Sequence, residues 1–113
     1  MAPVPPAVRP ICPTVLRSEF NSREIHARAD AGEFTTRVRE YLAPAKAGQV
    51  PGALSQYIYY FEGETMIAQA HCYREPGGKI GASGRPDPKW LLVEGEALIP
   101  DPDSAHSCPS CRA

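Results

Sequence analysis

Apolar or small side chains at Phe20, Ala27, Ala31, Phe34, Val38 and Tyr41 recur in steps of three, four or seven. That spacing draws a single stripe on a helix and predicts helical structure over residues 18–43. Acid-to-arginine pairs four residues apart support it at Glu19–Arg23, Glu24–Arg28 and Glu33–Arg37, each with the acid first. Gly32 is the weak point, where the segment either continues as one helix or splits in two with Asp30 as a cap. Pro44 ends it, and residues 43–53 read as a linker rich in Ala, Gly and Pro.

From Gln56 the period shortens to two. Tyr57-Ile-Tyr-Tyr-Phe61 is aromatic and β-branched, as strands prefer. Glu62-Gly-Glu64 reads as a hairpin turn that sends residues 65–74 back alongside. In that returning strand Met66, Ala68, Ala70 and Cys72 share one face, and Ile67, Gln69, His71 and Tyr73 share the other. The first is the expected core side, with Phe34 and Val38 of the helix packed on it, so His71 points away from the core. Pro76-Gly77-Gly78 is a second turn, leading to a short strand at Ile80. Residues 59–67 and 91–99 share a pattern of three apolar residues, Glu-Gly-Glu, a small residue, an apolar residue and Ile, which predicts two hairpins with glycine at positive φ.

A helical segment followed by hairpins predicts an α+β fold, a helix or helix pair packed on a small antiparallel sheet. The 113 residues make one domain at most. Five prolines fall within residues 1–13, and residues 100–113 combine Pro with Asp, Ser and Cys, so both ends are expected to be extended and mobile. The folded part is then residues 14–99, small enough that a homodimer would add useful burial. No apolar run has the length of a membrane span, and the N-terminus lacks the apolar core of a signal peptide, which predicts a cytoplasmic protein. Richness in Ala, Gly, Pro and Arg suggests a GC-rich bacterial or phage origin.

The net charge of −1 hides an uneven distribution. Within the acidic second half, residues 71–90 hold Arg74, Lys79, Arg85 and Lys89 against Glu75 and Asp87 only. Gly77, Gly78, Gly81 and Gly84 lie in the same stretch, together with Ser83 and a Pro-Asp-Pro sequence. Such a segment reads as a basic, glycine-bearing loop, the kind of element on which binding tends to sit. Lys79, Ser83, Arg85 and Lys89 are the candidate ligand-binding residues, for an anionic ligand or nucleic acid. The loop is not a Walker A sequence, since no Gly-Lys-Ser/Thr launches a helix there. Asp87-Pro88 suits one helical turn over residues 88–92 or a type I turn. Trp90 is expected to cover the core edge.

Two other chemistries are open. His71 with Arg74 and Arg85 supplies a general base and phosphate-binding cations, the parts of a small metal-independent ribonuclease or toxin-like enzyme; His26 would serve as a second acid or base. Cys108-Pro-Ser-Cys111 preceded by His106 has the spacing of half a zinc site, which would clip the tail into an interaction module if Cys12, Cys72, His71 or a second chain completed it. Without zinc no cofactor is called for. The first expectation is a non-catalytic binding or regulatory module that uses the 71–90 loop.

Overall fold

The computed structural model describes residues 5–78, 80 and 85–101, and its elements run β-α-α-β-β-β-β-β. Strand β1 (Ala7–Ile11) leads directly into helix α1 (Pro13–Ser22). Pro13 sits in the first turn, where its missing N–H costs nothing, and Leu16 and Phe20, four apart, supply the buried face. The helix stops at Arg23. Glu24 then takes a left-handed φ of 53°, unusual for a side chain with a Cβ, and starts α2 (Ile25–Asp30) on a new axis.

The end of α2 explains why the helix does not run on. Gly32 adopts φ 90°, its N–H bonds the Ala29 carbonyl, and the Glu33 N–H reaches back to the Arg28 carbonyl. These two bonds form a Schellman cap that only glycine occupies without strain. The predicted helix over 18–43 is therefore corrected. It is two short helices, and Thr35–Leu42 is a strand, β2. The i,i+4 pattern was only partly diagnostic: Glu19 and Arg23 do pair at 3.3 Å, whereas Arg28 pairs with Glu33 rather than Glu24.

Strands β3 (Leu54–Glu62), β4 (Thr65–Arg74), β5 (Asp87–Val93) and β6 (Glu96–Pro100) complete a six-stranded sheet in the order β1-β6-β5-β4-β3-β2. All neighbours are antiparallel except β1 and β6, which are parallel, so the sheet is mixed and not a simple array of hairpins. The two helices carry the chain from one edge of the sheet to the other, and the meander from β2 to β6 walks back. Both Glu-Gly-Glu segments do form hairpins, but one residue out of step. Gly63 is the first turn residue after Glu62 in one, and Gly95 follows Glu94, itself at φ 50°, in the other. Residues 87–90 lie in β5, so neither a helical turn nor a type I turn forms there.

The core lies on one face. Leu16, Phe20 and Ile25 of the helices pack with Ile58, Tyr60, Ala68, Ala70, Cys72, Leu91 and Leu98 of the sheet. Ala68, Ala70 and Cys72 are on the core side as their alternation predicts, and Phe34 is buried with them. Met66 is only half-buried, and Val38, on an edge strand and 49% exposed, is not a core residue. No helix of the described residues is long and apolar enough to cross a membrane.

Candidate functional site

Because side chains alternate across a strand, the register fixes what the second sheet face carries. Tyr41, Ser55 and Tyr73 form one row across β2, β3 and β4. Arg39, Tyr57, His71 and Asp87 form the next, extended to β5, and Arg37, Tyr59, Gln69 and Trp90 form a third. Both helices pack on the opposite face, so among the described residues this one carries no helix.

His71 is central to the face. Its Nε2 is 2.7 Å from Ser55 Oγ, and its ring lies between those of Tyr57 and Tyr73, with both centroids 4.7 Å away. Tyr41 extends the group, its centroid 6.4 Å from that of Tyr57. Burial first, and then the Lys89 ammonium, hold the His71 imidazole below its usual pKa, while Asp87 pulls the other way. Asp87 itself bridges Arg17 of α1 and Lys89, each at 3.0 Å. Lys89 stands at a bulge where β5 slips one residue against Gln69 and Ala70, with its ammonium on Asp87, whose backbone is opposite His71. Arg37 stacks over Phe61 at 4.9 Å, and no carboxylate of the described residues pairs with Arg37 or Arg39.

The residues singled out in the sequence are dispersed. His71 and Lys89 are together. Arg74 is on the helix-bearing side, donating to Gln56 Oε1 at 2.9 Å and to the Gly78 carbonyl at 2.6 Å. Gln56 is also the partner of Glu40 at 2.6 Å and of the Cys72 thiol at 3.6 Å, a buried polar knot in which burial raises the thiol pKa. Arg85 lines a cavity of about 360 Å³ with Phe20, Glu24, His26, Asp30 and Ile80, away from His71. His26 in the cavity wall has its Nε2 3.7 Å from Asp30, and its Nδ1 lies 2.7 Å from the hydroxyl of the buried Tyr60 behind it. Trp90 is half-buried on the open face instead of covering the core. Lys79, Ser83, His106, Cys108 and Cys111 lie outside the described residues. Of the ligands suggested to complete a zinc site, Cys12 is disulfide-bonded, Cys72 is buried against Gln56, and His71 is bonded to Ser55.

Arg37, Arg39, Tyr41 and Ser55 were not read as site residues. The first three fall in the segment whose spacing predicts a helix, and the strand they form buries neither face, so no polar–apolar alternation marks it. Comparisons with protein-family models, with curated proteins and with solved structures give no match.

Proposed function

We propose that the protein is a binding module for single-stranded nucleic acid, and that the open sheet face is the surface used. The observation that carries this reading is the run of rings from Tyr41 through Tyr57 and His71 to Tyr73, bordered by Arg37 and Arg39 with no carboxylate partner among the described residues. Aromatic rings on a sheet give unstacked bases a flat apolar surface, worth about 1–3 kcal/mol per base, and the arginines meet phosphate. A net charge of −1 supplies no general attraction, so affinity rests on stacking. The salt dependence is correspondingly shallow. Two phosphate contacts give a slope of only about −1.4 in log K against log salt.

Fluorescence anisotropy with a labelled uridine or deoxyuridine octamer tests this. Binding is expected for the single strand and not for the duplex, and should weaken on Tyr57→Ala and on joint Arg37→Ala and Arg39→Ala replacement. No binding at low salt, or binding indifferent to all three changes, rejects the reading.

A second reading, cleavage of the bound strand, is favoured by one observation. A ring held below its usual pKa is neutral at pH 7 and able to accept a proton, and His71 has an ammonium beside it. Arg39 and Lys89 then replace Arg74 and Arg85 as the cations. RNA incubated with the protein, but not DNA of the same sequence, should yield fragments that His71→Ala abolishes. Intact RNA after prolonged incubation rejects cleavage and leaves binding standing.

A further inference from the structure

The two edges of the sheet are unlike. β1 is five residues long and contains Pro10, which has no N–H to offer a neighbour. β2 is eight residues long, contains no proline and runs in unbroken register with β3. Every residue of β2 is exposed, including Val38 at 49% and Leu42 at 72%. A long, regular edge of this kind is a template for a further strand unless something blocks it.

The charges on β2 decide what that strand can be. A second copy pairing antiparallel through a two-fold axis normal to the sheet has its faces matched, so only residues of the same parity meet. Symmetric registers centred on Arg37, Val38 or Arg39 set arginine against arginine, and one centred on Glu40 sets Glu40 against its own copy. Like charges directly opposite one another destabilise a sheet. Antiparallel self-pairing is thus opposed in every register centred on residues 37–40. An acidic strand meets no such obstacle. Carboxylates two residues apart would lie opposite Arg37 and Arg39 on the open face, with an apolar residue between them against Val38 on the other.

We propose that β2 accepts an extended acidic peptide of a partner protein as a seventh strand, with acids alternating with apolar residues. This goes beyond the nucleic-acid reading and does not depend on it. The two surfaces share Arg37 and Arg39.

The test is hydrogen exchange of the full chain with a peptide whose core is Val-Glu-Val-Glu-Val, and with the same peptide carrying Lys for Glu. The acidic peptide should slow exchange over residues 35–42 and the basic one should not. Joint Arg37→Glu and Arg39→Glu replacement should weaken the acidic peptide by at least about tenfold and reverse the preference. Both sites are exposed, and an unchanged melting temperature shows that the variant folds. Equal protection by both peptides, protection confined to other strands, or concentration-dependent protection of residues 35–42 without peptide overturns the proposal. Octamer binding, measured separately, leaves each of these outcomes unaffected.

Discussion

The hydroxyl of Tyr60 and Nδ1 of His26 meet at 2.7 Å, pinning the second helix to the sheet through a phenol that is itself completely buried. The Tyr60 ring also stands edge-on to Phe20 at 5.8 Å, so it serves both helices. Tyr60→Phe keeps the packing and removes the hydrogen bond. It should cost about 1–2 kcal/mol in urea unfolding, against about 3–5 for Tyr60→Ala.

The same phenol predicts an alkaline limb of stability. Burial is the main cause that raises its pKa, with Cys72 and Asp30 adding to it. The folded state therefore holds a proton that the unfolded chain releases near pH 10. Stability from this group is complete below that pH and declines as the pH rises further. Melting curves at increasing pH should show the decline, and Tyr60→Phe should flatten it.

His71 has the opposite sign. Its folded pKa is depressed, so its contribution is complete above about pH 6.5 and is lost as the pH falls through the lower folded value. In an NMR titration Lys89→Ala should move the His71 pKa up toward the ordinary range. Asp87→Ala should move it down, because the carboxylate is lost and the Lys89 ammonium is left without its partner. Unchanged titration in both variants would falsify the electrostatic account.

Val38→Asp separates a helix-on-sheet core from the observed one. Read as a core helix position, it would unfold the protein. On an exposed edge strand it should cost less than about 1 kcal/mol, while Leu16→Ala should cost about 2–5. Thermal melts of the two variants are sufficient to compare.

Glu94 and Gly95 are both left-handed in a two-residue hairpin loop, the pattern that favours Asn-Gly. Glu94→Asn should therefore raise the melting temperature, by the equivalent of a few tenths to about 1 kcal/mol. The same change at Glu64, which follows its glycine and is not left-handed, should do little.

What could be read in the chain depended on how local the cause was. The alternation over 57–74 predicted β3, β4 and the faces of His71 and Cys72, because a buried side must be apolar at every second residue. Residues 35–42 misled because Val38 and Tyr41 continue the helical spacing from Phe34, while β2 itself buries neither face and so carries no alternation of hydrophobicity. Gly32 held the correcting signal, as a helix stop. The site was only half legible for the same reason. His71 and Tyr73 lay in a readable strand, whereas Arg37, Arg39 and Tyr41 reach them only through a register that no local pattern specifies.

The pairing of β1 with β6 joins residues nearly ninety positions apart, Ala7 against Glu96 and Ile11 against Pro100. A chain emerging from the ribosome makes β1 nearly ninety residues before the strand that pairs with it. Until β6 has been made, α1 has no Leu98 to pack on and β1 has no neighbouring strand. So distant a closure makes folding slow for the size of the protein. A nascent chain stalled before residue 96 would have to hold its meander and helices together without a finished edge.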